Sequence, residues 1–213
     1  MRYLLDNPAV VLHLAGQHLV LTAVSLALAL CIAVPLGILA ARRRTIRGPL
    51  LGVLGVIYTI PSLAFFVILI PLMGLGVGPA LTALIAYAQV ILVRNIAVGL
   101  LRVDPAVVEA ARGMGMSAGQ CLWRVEMPLA LPVILAGVRV ATLAIIGIGT
   151  VAAFINAGGL GTLLFMGVSQ NHPDKIVAGA IALGVLALAI NTATRALEGR
   201  AFHAVHGEWS TTG

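Results

Sequence analysis

The sequence predicts an all-α, polytopic transmembrane bundle of about five spanning helices, and three observations carry that prediction. The 213-residue chain is 61% hydrophobic and only 9% charged, with a mean hydropathy of +1.10. That balance excludes a disordered chain and argues against an ordinary soluble domain. Charged residues are absent from Leu19 to Ala41 and from Gly48 to Val93. Within these runs Leu, Val, Ile and Ala follow one another without period-two alternation, the pattern of buried helices rather than of a membrane β-barrel.

Residues 1–18 read as a short amphipathic or interfacial lead-in. Its His13 and His18 stand five apart, whereas two histidines on one helix face share a metal best at a spacing of four, so packing or interfacial roles fit better. The first span is 19–41. It is too long for the apolar core of a cleavable signal, and Arg42, Arg43 and Arg44 stand where a cleavage site would need small residues. The second uncharged run holds 46 residues, roughly 69 Å as one straight helix, against a hydrocarbon core of about 30 Å. It must fold back, and Gly74-Leu75-Gly76-Val77-Gly78-Pro79 is the turn, giving spans 50–73 and 79–101. Two further spans follow at 131–155 and 176–196.

Arginines set the orientation. Arg42, Arg43, Arg44 and Arg47 follow span one; Arg94, Arg102, Arg112 and Arg124 surround the loop after span three; Arg195 and Arg200 follow span five. Only Arg2 and Lys175 fall on the other side. The positive-inside rule then puts the N-terminus outside and the C-terminus in the cytoplasm. The formal charge of +6 is thus a topology signal rather than a nucleic-acid footprint. Cys31 lies in span one and Cys121 in a cytoplasmic loop, so no disulfide is expected.

Few residues inside the spans invite chemistry. No Asp or Glu lies within any span, no phosphate loop is present, and no internal repeat is visible, so an ion-coupled carrier lacks its usual parts. Pro61 removes a backbone hydrogen bond mid-span, and Ser62 beside it is placed to satisfy the freed carbonyl. Gln89 and Asn156 are the uncharged polar residues expected to face the bundle interior, where interhelical hydrogen bonding competes with a role in a pathway. Arg139 is expected to snorkel toward cytoplasmic water. The segment Thr162–Ser169, too short to span, reads as a partly re-entrant or interfacial element on the outer side. Tyr58, Phe65, Phe66 and Tyr87 are not expected to converge within one subunit, and Trp123 and Trp209 both fall on the cytoplasmic side. A cage of several aromatic faces around a bound cation is therefore not expected within one copy of this chain.

The most informative stretch is the charged island between spans three and four, residues 102–128. Asp104-Pro105 starts a helix as cap and first residue, and Gly113 and Gly115 end it. Ser117 with Gln120 three residues on makes a capping box for a second short helix carrying Leu122, Trp123 and Val125, expected to stop before Pro128. Connectors between packed helices need only a few residues. This one is several times longer and keeps apolar side chains, so it reads as a two-helix knob presented to a partner.

Glu109-Ala110-Ala111, three residues, Gly115, nine residues, then Val125-Glu126-Met127-Pro128 resembles the EAA loop of binding-protein-dependent ABC importer permeases. Val125 and Met127 stand for Ile and Leu. Tyr58-Thr59-Ile60-Pro61-Ser62-Leu63-Ala64, Gly74–Pro79, Arg94-Asn95, Asp104–Val108 and Asn156–Gly161 are similar to the osmoprotectant branch, whose solutes include glycine betaine, choline and carnitine. The resemblance implies a type I ABC importer permease-like fold and a non-catalytic, multi-pass translocation subunit of a bacterial cytoplasmic (inner) membrane. It implies that Glu109, Ala110, Ala111, Gly115 and Pro128 form the ATPase-coupling loop, and that Tyr58, Pro61, Ser62, Gln89 and Asn156 are candidates for lining the pathway. The implied partners are a dimer of ATP-binding subunits, a second permease copy or homologue, an extracytoplasmic solute-binding protein and the lipid bilayer. No cofactor or metal is implied on this chain; ATP and Mg2+ belong to the ATPase. The rival readings are an ABC permease for another small solute and a small helical channel or carrier that needs no ATPase.

Overall fold

The computed structural model describes residues 2–206. It is a helical bundle: α1 (Arg2–Asp6), α2 (Pro8–Arg42), α3 (Arg44–Thr59), α4 (Ser62–Met73), α5 (Val77–Leu101), α6 (Pro105–Gly113), α7 (Ala118–Cys121), α8 (Met127–Ala152), α9 (Gly161–Ser169) and α10 (Pro173–His206). Four stretches among the described residues are long and apolar enough to cross a membrane, and α3 with α4 supplies a fifth if that bent pair is one span.

Helix α5 is the axis of the bundle, with α2 and α8 against it and α10 outside α8. Its inner face runs through Ala83, Leu84, Tyr87, Ala88, Leu92, Val93 and Ile96, all buried. Small residues set the spacing. A Cβ on Gly37 of α2 would stand 2.6 Å from the Ile96 side chain, and one on Gly137 of α8 would stand 2.3 Å from Cβ of Asn95. Both contacts are closer than carbon atoms tolerate, so the absent side chains are what let α2 and α8 lie against α5. In lipid, where apolar surface is not driven from solvent, such close approach supplies much of the association energy.

Several expectations are corrected here. Residues 1–18 are not a separate lead-in, because α2 begins at Pro8 and runs unbroken to Arg42. His18 is fully buried, and its Nε2–H donates to the Ile146 carbonyl of α8 at 3.1 Å. The stretch 50–73 is two helices bent by 94° at Ile60-Pro61. With 16 and 12 residues, they rise about 24 and 18 Å, each short of the hydrocarbon thickness. Proline forces the break, since neither its ring nor the residue before it suits a continuing helix. The turn after α4 falls within the expected glycines, with Gly74 and Gly76 at φ +76° and +115°. Helix α10 overruns 176–196 at both ends, spanning Pro173–His206. Its extra turns carry Glu198, whose Oε2 lies 3.0 Å from Nε of Arg139. Arg139 therefore has a carboxylate partner on a neighbouring helix, with its side chain 29% exposed. Trp209 lies outside the described residues.

Candidate functional site

The island between α5 and α8 is a two-helix knob at the end of the bundle that also carries the end of α2 and the last turns of α10. Asp104 Oδ1 accepts the Ala106 N–H at 2.9 Å and caps α6, with Pro105 as its first residue. Helix α6 ends in a Schellman motif centred on Gly115, whose φ is +85°. The Gly115 N–H donates to the Arg112 carbonyl at 2.9 Å, and the Met116 N–H to the Ala111 carbonyl at 3.2 Å, the paired bonds that close such a cap. Ser117 and Gln120 then form both halves of the capping box. Each step rests on a local signal: a cap, a left-handed glycine, a second cap.

The far end of the knob departs from expectation. The second helix does not stop before Pro128. It passes through a π-turn at Leu122–Glu126 and continues as α8, so that Ala118–Ile155 is one shaft of 38 residues. Proline at 128 brings no N–H for the preceding turn and its ring crowds the carbonyl four residues back. A wide turn directly upstream, in which the Met127 N–H reaches the Leu122 carbonyl, absorbs that mismatch.

The predicted coupling residues divide by exposure. Glu109, Ala110, Gly115 and Pro128 are exposed, and with Met114 and Trp123, which are 74% and 59% exposed, they give the knob a mixed polar and apolar outer surface. Ala111 faces the other way at 2% exposure. It sits on the inner side of α6, which packs on α7 and the π-turn, so its small size serves the packing of the knob itself rather than its outer surface. Glu126, which the sequence reading passed over, is buried and accepts from Nη2 of Arg42 at 2.8 Å. The sole signal for it was a lone acid just ahead of the fourth apolar span.

The predicted pathway residues do not form one cluster. Tyr58 and Pro61 are exposed at the α3–α4 break, with Ser62 partly buried beside them. Contrary to expectation, three aromatics converge there. The Tyr87 ring lies edge-on to Tyr58 and Phe65, with centroids 5.9 and 5.5 Å away. Its hydroxyl donates to the Ile60 carbonyl at 2.5 Å, so Tyr87, rather than Ser62, satisfies a carbonyl left open where the helix breaks; the Ile57 carbonyl, four residues before Pro61, accepts from the Ile60 N–H at 3.2 Å. The convergence was not legible because it depends on where a 94° bend brings α3 and α4 across α5. Gln89 is buried and donates to the Ala29 carbonyl at 3.1 Å, tying α5 to α2. Asn156 is not interior: it is exposed in a left-handed conformation, φ 63°, just past α8. It lines a cavity of about 600 Å³ with His13 and Gln17, at the end of the bundle opposite the knob.

Residues 33–203 match the family described as "Binding-protein-dependent transport system inner membrane component". The chain belongs to that family. It is 36% identical over 191 residues to the glycine betaine/carnitine/choline transport system permease protein OpuCB of Bacillus subtilis, covering 90% of this chain and 88% of that protein. It is 42% identical over 196 residues to the osmoprotectant import permease protein OsmW of Salmonella typhimurium, covering 90% and 91%. Among solved structures, the permease chain in inward-facing conformations of the MetNI methionine ABC transporter superposes with a TM-score of 0.83 at 19% identity, covering 92% of this chain and 98% of that one. The likeness at that identity fixes the fold: a helical ABC importer permease bundle. As a binding-protein-dependent inner membrane component, the chain is a multi-pass inner-membrane permease subunit whose family works with a substrate-binding protein and an ATP-binding subunit in general.

Proposed function

We propose that this permease carries a small quaternary ammonium compatible solute, of the glycine betaine, choline or carnitine type, driven by ATP hydrolysed on a separate subunit. The observation that carries the solute class is the 36–42% identity, across about nine-tenths of the chain, to permeases named for those solutes. The aromatic cluster of Tyr58, Phe65 and Tyr87 supports it, because a cation passing a broken span gains from aromatic faces about 0.5–1 kcal/mol each when solvated and more when not. Selectivity would remain with the binding protein, and this chain would line a low-affinity path past Tyr58, Pro61 and Ser62. Gln89, already spent on a helix–helix bond, contributes to packing instead, and Asn156 to the mouth at the opposite end.

In this reading the knob is the cytoplasmic handle. Arg42, Arg47, Arg102, Arg112, Arg124, Arg195 and Arg200 all fall at its end of the bundle, the cytoplasmic end by the positive-inside rule. Glu109, Ala110, Met114 and Trp123 would meet a groove of the ATP-binding subunit, with Gly115 holding the bend and Pro128 lying just past the π-turn in the rigid shaft. Two knobs, from two copies or from this chain and a homologue, would engage a dimer of ATP-binding subunits. ATP and Mg2+ would bind there and nowhere on this chain.

Co-purification with the ATP-binding subunit tests the handle: Ala110→Trp together with Glu109→Arg is expected to abolish it while leaving the permease folded. Retained binding overturns the docking assignment. Competition among betaine, choline, carnitine and methionine for uptake tests the solute class. Methionine as the sole effective competitor would move the chain to another substrate branch. Tyr58→Ala is expected to lower the maximal uptake rate without altering affinity for the binding protein.

A further inference from the structure

Glu126 sits inside the shaft that joins the knob to the membrane, and its position is set by the π-turn. The buried residues along the first part of this shaft, as far as Ala141, are Cys121, Glu126, Ala130, Ile134, Gly137 and Ala141. Successive spacings of four, four, three and four after Glu126 are those of an α-helix face. The first spacing, from Cys121 to Glu126, is five. In an unbroken α-helix Val125 would fall in line beneath Cys121. The π-turn inserts one residue, and Glu126 takes the inward place.

What meets it is the last residue of α2. Arg42 Nη2 donates to Glu126 Oε1 at 2.8 Å, the arginine 40% and the carboxylate 4% exposed by side chain. The end of α2 is fixed independently. Arg47 folds back so that Nε donates to the Ala40 carbonyl at 2.8 Å and Nη2 to the Ala41 carbonyl at 3.2 Å, satisfying carbonyls that a helix end leaves open. A pre-positioned arginine thus meets a carboxylate that a helical irregularity aims at it. A buried charge pair adds little net stability against an apolar substitute, and its best-attested use is to fix register. Here the register fixed is that of α2 on the shaft.

We propose that Arg42 and Glu126 are positioning residues that make α2 and the knob–α8 shaft move as one body. ATP-driven displacement of the knob then reaches α2 as well as α8. This inference rests on the reading of the knob as the ATPase handle, and it adds the link by which motion enters the first span.

The test uses the complex of permease, ATP-binding subunit and binding protein in proteoliposomes, with nitroxide labels at Leu131→Cys on the exposed face of the shaft and Leu28→Cys on the exposed face of α2. Cys31→Ser removes the exposed native thiol; Cys121 is buried. In the parent the label–label distance is expected to be narrow and the same in nucleotide-free and ATP-vanadate-trapped states. Arg42→Glu and Glu126→Arg should each broaden it and separate the two states. In the unlabelled complex the same variants should lower glycine betaine imported per ATP hydrolysed about tenfold, within the usual range for coupling between distant sites, while ATPase co-purification persists. The double reversal Arg42→Glu with Glu126→Arg should restore both readouts, and Arg42→Lys should retain most of each. Single reversals that keep the narrow distance, or a double reversal that restores neither readout, overturn the proposal. If the parent hydrolyses ATP without importing glycine betaine and the distances still behave as expected, the solute assignment fails and the positioning role stands. If no ATPase binds, the handle reading fails, and the nucleotide-free distances alone decide whether the pair locks α2 to the shaft.

Discussion

Gly115 is the position where backbone conformation and docking can be separated most cleanly. Its φ of +85° is a left-handed conformation, and a Cβ built on it meets nothing within 4 Å. A side chain there encounters no steric wall, so the effect of substitution is the backbone penalty alone. For an L-residue that penalty is about 1–2 kcal/mol, a factor of roughly 5–30 in the population of the native knob. Asn tolerates the region, Ala bears the ordinary penalty, and Val, being β-branched, is a genuine outlier there. The expected order of apparent affinity for the ATP-binding subunit is therefore Gly115 wild type, then Gly115→Asn, then Gly115→Ala, then Gly115→Val. The Ala variant should be weakened about 5–30-fold. Membrane insertion and thermal stability should stay near wild type, because the knob stands outside the buried core. Gly119→Ala is the control: its Cβ is also unobstructed, but its φ lies outside the left-handed region. Binding titrations on purified permease in nanodiscs measure the series. Equal affinity for Asn and Val variants would refute the reasoning, as would a Gly119→Ala loss matching that of Gly115→Ala.

Tyr87→Phe leaves the Ile60 carbonyl without its 2.5 Å partner and should destabilise the purified protein by about 1–3 kcal/mol; an unchanged thermal midpoint in detergent would show that the break does not need this bond. Gly137→Ala places a Cβ 2.3 Å from Asn95 and should destabilise the α5–α8 contact by about 1–3 kcal/mol or more, whereas Gly16→Ala, with open space around it, should not. Glu198→Gln removes the carboxylate beside Arg139, side chains 25% and 29% exposed, and should cost less than the roughly 3–5 kcal/mol of a fully buried pair. Adding Arg139→Gln should recover part of that loss in a double-mutant cycle.

What was legible in the sequence was whatever rests on local chemistry. Charge-free runs, the Gly74–Pro79 turn, the Asp104 and Ser117 caps and the Gly115 bend depend on neighbours a few residues away, and each is found where the spacing put it. What was not legible depends on partners far along the chain. Glu126 pairs with Arg42 at a separation of 84 residues, His18 reaches Ile146 across 128, and Tyr87 serves Ile60 across 27. The π-turn was hidden for a related reason. Pro128 read as a stop, because nothing local says that a wide turn upstream will admit it. Likewise the 94° bend was visible only as a proline, which allows a kink of any size. The bend then decides whether the aromatics meet.

Transport through this bundle is expected to be driven by ATP hydrolysed on a subunit gripping the knob. Uptake of radiolabelled glycine betaine into proteoliposomes measures it directly, with the ATP-binding subunit and the binding protein supplied or withheld. Accumulation against a gradient is predicted only when ATP and all three components are present. It should vanish in the Ala110→Trp, Glu109→Arg permease. Solute flux through the permease alone, unaffected by ATP or by those substitutions, would contradict the account and point to a channel.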